Sequence, residues 1–167
     1  MHCEIPDVIA LSSKDNPPGS DNPGKQSADS EAPESGQTIL VVDDSVAWLR
    51  LAEGILNACG YQVQTCEDPR DALSLLKQNP DQIDLVITDL QMPRLDGIEL
   101  AAELLKINAA LPVVLTSAAK LQMPWERLQS LGFREFLTKP WDRDRLLAVV
   151  RQALAHHPGQ KRGTEAS

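Results

Sequence analysis

Ile39-Leu40-Val41-Val42-Asp43-Asp44 is a short, β-branched apolar run that stops on two carboxylates, and the chain repeats this form three more times. Leu85-Val86-Ile87-Thr88 stops at Asp89, Val113-Val114-Leu115-Thr116 at Ser117, and Phe136-Leu137-Thr138 at Lys139. Runs of this kind, separated by helical patterns, read as buried parallel strands. Parallel strands bring their carboxyl ends to one edge, and open α/β sheets bind ligands in the crevice outside that edge. Asp43, Asp44, Asp89, Ser117 and Lys139 are therefore expected to converge there, an inventory suited to phosphoryl chemistry.

Outward from these runs, the pattern between Thr38 and Leu154 alternates five strand-like with five helix-like stretches. Ser45 is placed to cap a helix whose apolar positions are Val46, Leu49, Ala52, Ile55, Leu56 and Cys59, with Gly60 as its stop. Tyr61 to Cys66 reads as the second strand. A helix from Pro69 to Gln78 follows, ended by Asn79-Pro80, and Ile83 to Thr88 reads as the third strand. Gly97 opens a third helix, and Leu111-Pro112 leads into the fourth strand. Pro124 suits the first turn of a fourth helix that Gly132 closes. Phe133 to Thr138 is the fifth strand, and Asp142 caps a last helix with Leu146, Val149, Val150, Ala153 and Leu154 inward. Right-handed crossovers then favour a doubly wound, flavodoxin-like (βα)5 parallel sheet of strand order 2-1-3-4-5, which sets Asp43-Asp44 beside Asp89.

Composition divides the 167 residues into three parts. Residues 1–36 are acidic and rich in Pro and Ser, with too little apolar surface to offset ordering entropy, and are expected to be disordered. Residues 37–155 hold the α/β pattern, and residues 156–167 form a polar, flexible tail. Neither end of this sequence is expected to hold an output domain. The patch Val8-Ile9-Ala10-Leu11 lacks a basic flank and is too short for a secretory signal or a membrane span, so it reads as chance rather than as a docking peptide. Of the formal charge of −8, the leading segment carries −5, with Lys14 and Lys25 against seven acidic residues. An acidic chain without a basic stripe is a poor direct binder of nucleic acid. Cys3, Cys59 and Cys66 lack metal-ligand spacing and fit a reducing cytoplasm, with Cys59 a small helix-face hydrophobe. His2, His156 and His157 fall in the ends and do not read as phosphorylation sites.

Three ionised carboxylates in one crevice repel by about 4 kcal/mol per close pair at an effective dielectric near 20. A hard cation relieves this, and an oxygen-only ligand set without His or Cys favours Mg²⁺. Two charges from the metal and one from Lys139 balance the three carboxylates. Asp89 is the candidate nucleophile, Ser117 offers a hydroxyl, and Lys139 with the metal would stabilise the transferring group. Taken singly, each residue has a plainer reading. Asp43 and Asp44 could cap a helix, Asp89 could sit in a turn, Ser117 could be a solvated hydroxyl and Lys139 a surface lysine. Asp96, before Gly97, is assigned to that plainer class as a turn or helix-start residue. Trp125, Trp141 and Phe136 are expected to share an apolar face over the last two helices and the fifth strand, part packing and part partner surface.

The segment from about Thr38 to Ala155 resembles the receiver domain of bacterial response regulators. The resemblance rests on Ile39 to Ser45, on Asp89-Leu90-Gln91-Met92-Pro93-Arg94-Leu95-Asp96-Gly97, on Pro112 to Ala118 and on Lys139-Pro140. It implies that Asp89 is the phosphoacceptor and that Asp44, assisted by Asp43 and Asp89, binds Mg²⁺ together with the backbone carbonyl of Gln91. By the same resemblance Ser117, five residues after Pro112, is the phosphoryl-binding hydroxyl, while Thr116 faces away. Phe136 takes the aromatic switch position, without the hydroxyl of the tyrosine frequent there, and Lys139-Pro140 falls where a cis peptide is common. Gln91 and Ala119 occupy positions that tune phosphate lifetime.

The expected function is that of a stand-alone two-component or phosphorelay receiver. It would take a phosphoryl group onto Asp89 from a sensor histidine kinase or a histidine phosphotransfer protein. A downstream protein would then be engaged through the face of the fourth helix, fifth strand and fifth helix. Neither nucleic acid nor membrane is expected as a direct partner, and no reaction is expected beyond its own phosphorylation and dephosphorylation. The alternative is a receiver-fold adaptor that is never phosphorylated, for which no millimolar Mg²⁺ response is expected. An enzyme acting on outside substrates through an aspartyl phosphate is disfavoured, because Leu90-Gln91 supplies no second acid after Asp89.

Overall fold

The structure, a computed structural model, describes residues 36–155. Expectations for the leading segment, the Val8 to Leu11 patch, the tail, Cys3 and the three histidines lie outside the described residues. Five strands, β1 (Thr38–Val42), β2 (Gln62–Cys66), β3 (Leu85–Asp89), β4 (Val113–Ser117) and β5 (Phe133–Thr138), alternate with five helices. These are α1 (Val46–Ala58), α2 (Pro69–Gln78), α3 (Gly97–Ile107), α4 (Trp125–Ser130) and α5 (Arg143–Ala155). The strands pair in parallel in the order β2-β1-β3-β4-β5, the flavodoxin-like order expected from the sequence.

Every residue of β1, β3 and β4 is buried, as a parallel sheet covered on both faces requires. The edge strand β2 leaves Gln62 and Thr65 exposed. Side chains alternate between two cores. Ile39, Val41, Ile87 and Val114 meet Leu49 and Leu56 of α1 and Leu146 and Val150 of α5. Leu40, Val42, Val86 and Leu115 meet Leu76 of α2, Leu104 of α3 and Leu128 of α4.

Local chemistry sets the element ends. The Asp68 carboxylate accepts the Arg70 N–H just before Pro69, so α2 starts there. Asp96 and Glu99 form a reciprocal capping box at α3, which makes Asp96 a helix-start residue as read from the sequence. Asp142 Oδ1 accepts the Arg145 N–H at 2.8 Å at the start of α5. Gly60 ends α1 with φ +91°, a region that glycine enters without a Cβ clash.

Several expectations are corrected. Ser45 stands at the N-cap of α1 but its side chain makes no cap bond. Instead the Asp43 Oδ1 atom accepts the Ser45 N–H at 2.9 Å, so the carboxylate two residues upstream takes the donor. Val46, assigned to the inner helix face, is 40% exposed. Pro124 precedes α4 at the N-cap rather than lying in its first turn. The aromatic face is divided by the sheet. Trp141 is buried among α1 and α5, whereas Trp125 and Phe136 are half-buried against the opposite core. Trp141 lies in the loop after β5, where no strand alternation fixes its side, and a large indole gains most from a buried, ring-paired position.

Candidate functional site

β1, β3 and β5 end on one edge of the sheet and deliver Asp43, Asp89 and Lys139 to it. All three are buried although all three are chargeable. Lys139 Nζ lies 2.5 Å from Asp43 Oδ2 and 2.6 Å from Asp89 Oδ1, so one ammonium joins carboxylates from two adjacent strands. Burial pushes the Asp43 carboxyl above its ordinary range, and the bonds from Lys139 and the Ser45 N–H oppose that shift. The second Asp89 oxygen, Oδ2, accepts the Gln91 N–H at 2.9 Å. Gln91 thus touches the site through its backbone N–H.

β4 ends with two hydroxyls near this trio, and Thr116 rather than Ser117 lies near Asp89. The register pairs Asp89 with Thr116, and residues paired across parallel strands project to the same face. Thr116 Oγ1 accordingly stands 3.4 Å from Asp89 Oδ1, a long and weak contact, so Thr116 does not face away. Ser117, one residue on, turns its hydroxyl into the following loop and accepts the Ala119 N–H at 3.1 Å. The Lys139 N–H in turn donates to the Ser117 carbonyl at 2.8 Å, which ties the ends of β4 and β5 together. Lys139-Pro140 is cis, as expected. Phe136 pairs with Leu115 across the sheet and is half-buried.

Asp44 behaves differently from its neighbour. It is exposed, and the contacts to Lys139 come from Asp43 and Asp89 alone. Among the described residues, no three His, Cys, Asp or Glu side chains are close enough together to hold a metal ion. Asp43 and Asp89 meet at Lys139, and Asp44 stands exposed next to Asp43 in the chain. The donor set still suits a hard divalent cation, since it consists of oxygens and its buried members already bind a positive charge.

Three further contacts were not read from the sequence. A Cβ built on Gly97 would lie 2.2 Å from the Asp89 backbone carbonyl oxygen, so glycine is needed for the start of α3 to pack against the end of β3. Arg94, with φ +74°, reaches back from the loop after β3 to the Asp68 carboxylate at 3.0 Å. Trp48 of α1 lies beneath the Lys139 ammonium, 5.3 Å from Nζ to the ring centroid. Gly97 follows an Asp at a helix start, a visible cue. Neither the Arg94 pairing nor the Trp48 contact has a counterpart in sequence spacing.

Comparison with known proteins agrees with this geometry. A model of the response regulator receiver domain matches residues 39–151. The transcriptional regulatory protein ZraR of Escherichia coli is 34% identical over 119 residues, 71% of this chain and 26% of that protein. The two-component response regulator ARR11 of Arabidopsis thaliana is 43% identical over 82 residues, 49% of this chain and 16% of that protein. The chain thus spans about a quarter or less of the length of these relatives. The crystal structure of the CheX-CheY-BeF3-Mg²⁺ complex from Borrelia burgdorferi superposes with a TM-score of 0.65 at 28% identity, covering 68% of this chain and 86% of that one. Since the matched segment runs from β1 into α5 and takes in all the strand ends that build the pocket, this chain belongs to the response regulator receiver domain family.

Proposed function

We propose that this chain is a two-component or phosphorelay receiver. Asp89 accepts a phosphoryl group from the phosphohistidine of a sensor histidine kinase or phosphotransfer protein, and the phosphorylated state changes partner binding. The observation that carries this reading is the Asp89 carboxylate, buried at the end of a central strand with an ammonium 2.6 Å from Oδ1 and a backbone N–H on Oδ2. In the transfer, an Asp89 oxygen forms a P–O bond as the P–N bond of the donor breaks, and the released imidazole nitrogen takes up a proton. Lys139 supplies positive charge to the transferring group. Asp43, Asp44, Asp89 and the Gln91 carbonyl would hold Mg²⁺, which when bound adds positive charge at the phosphoryl oxygens. The Borrelia CheY complex, solved with BeF3 and Mg²⁺, supports this chemistry by likeness.

The reaction ends on the protein's own side chain, so the output is a signal rather than a released product. A phosphoryl group adds about −1.5 to −2 charge. That charge competes for Lys139 and draws the Ser117 hydroxyl from the Ala119 amide, which biases the loop after β4 and the rotamer of Phe136. The face of α4, β5 and α5 then reads out to a downstream protein in the cytoplasm. Half-buried Trp125 and Phe136 and exposed Leu131 supply its apolar area. Among the described residues no helix is long and apolar enough to cross a membrane.

Incubation with acetyl phosphate and Mg²⁺ should add a single phosphate by intact mass, and Asp89→Asn should remove that addition. Equal labelling of the Asn variant would overturn the assignment of the acceptor.

A further inference from the structure

Lys139 is held by more than the two carboxylates. Its Nζ stands 5.3 Å from the ring centroid of Trp48, inside the range in which an ammonium is attracted to an indole face. Trp48 is itself backed by Trp141, with ring centroids 5.0 Å apart and planes inclined by 45°. Trp141 is 8% exposed, and its Nε1 finds no hydrogen-bond partner among the described residues. The chain runs from Lys139 through Pro140 to Trp141, so the residue that backs Trp48 is two positions from the lysine that Trp48 faces. The two indoles and the ammonium form one contiguous series of contacts, from the core between α1 and α5 out to Lys139.

We infer that Trp48 is a positioning residue for Lys139: its indole face, braced by Trp141, is a neutral seat for the ammonium beside the Asp43–Asp89 pair. The inference rests on the phosphoacceptor reading of Asp89. At rest the ammonium is shared between two carboxylates on different strands. Any group that arrives at either carboxylate weakens part of that hold. A π face has no competing proton or metal to exchange, so it keeps Nζ near the reacting oxygen while the carboxylate contacts change. The effect of Trp48 runs through Lys139 alone.

The test uses the full chain and two readouts. In NMR spectra the Lys139 Cε protons should be displaced upfield by the ring current of Trp48. Trp48→Leu should abolish the displacement, and Trp48→Phe should keep much of it. The rate of phosphate uptake from acetyl phosphate with Mg²⁺ should fall about two- to five-fold in Trp48→Leu, the range that an ammonium–indole contact of this kind supports, and should recover partly in Trp48→Phe. Trp141→Phe, which keeps a ring behind Trp48, should show the smaller loss. Undisplaced Lys139 resonances in the wild type overturn the contact, and a Trp48→Leu rate equal to wild type overturns the positioning role. A wild-type chain that takes up no phosphate while the displacement is present defeats the acceptor reading and the positioning role with it, but leaves the Trp48–Lys139 contact standing.

Discussion

The ammonium of Lys139, at the end of β5, lies 2.6 Å from Asp89 at the end of β3, across the whole width of β4. The pair is buried, with side chains 7% and 8% exposed, and Asp43 shares the same ammonium. Removing one member of a buried ion pair strands the other in a poor dielectric at a cost of about 3–5 kcal/mol. Lys139→Met should therefore destabilise the fold by about that amount near neutral pH in urea denaturation. The loss should shrink in acid, because burial already favours the neutral form of the Asp43 carboxyl and protonation removes the stranded charge. A loss that is small at neutral pH, or that grows in acid, would contradict the pairing.

Gly97 should not tolerate even one methyl group. Its absent Cβ would stand 2.2 Å from the Asp89 carbonyl oxygen and 3.1 Å from Leu115 Cδ1, and the first of these is backbone that cannot rotate away. Gly97→Ala should cost about 1–3 kcal/mol, the usual range for overpacking. It should also slow phosphate uptake by displacing Asp89. Denaturation coupled with acetyl phosphate labelling checks both, and a variant that matches wild type in both would remove the close approach.

Asp68 links two arginines, accepting the Arg70 N–H as the cap of α2 and pairing with the guanidinium groups of Arg70 and Arg94. Hydrogen bonds from the Arg70 side chain and backbone, with the charge of Arg94, lower its carboxyl to about 2. A carboxyl depressed in the folded state stabilises the fold above its unfolded value near 3.9, and that contribution is lost as pH falls toward 2. Wild type and Asp68→Ala should thus differ in stability above pH 4 and converge in stronger acid. Carboxyl-detected NMR should find the Asp68 midpoint near 2, and an ordinary midpoint would dissolve the cluster.

Asp96 accepts the N–H groups of Ile98 and Glu99 at 2.9 and 2.8 Å, and Glu99 returns a bond to the Asp96 N–H. Asp96→Ala should cost about 1 kcal/mol, as loss of an N-cap commonly does. Asp96→Ser should restore most of it, since a hydroxyl accepts the same bonds. Equal losses in the two variants would mean that the side chain matters for something other than the cap.

The amino-acid sequence alone determined the periodic parts of this protein. α2 begins and ends where Asp68-Pro69 and Asn79-Pro80 dictate, and β5 spans the run after Gly132, because caps, prolines and glycines act over a few residues. The pairing order followed from alternating strands and helices joined by right-handed crossovers, and it was enough to collect Asp43, Asp89 and Lys139 at one edge. Tertiary structure decided what those groups do to one another. Whether the third charge beside Asp43 and Asp89 is Asp44 or an ammonium depends on side-chain reach and desolvation, which no spacing encodes. That Thr116 rather than Ser117 looks toward Asp89 at rest depends on β3–β4 register, which is a relation between segments. Trp141 and Trp48 came together because a loop residue has no period to announce its side, and the side is settled only by the space that packed helices leave.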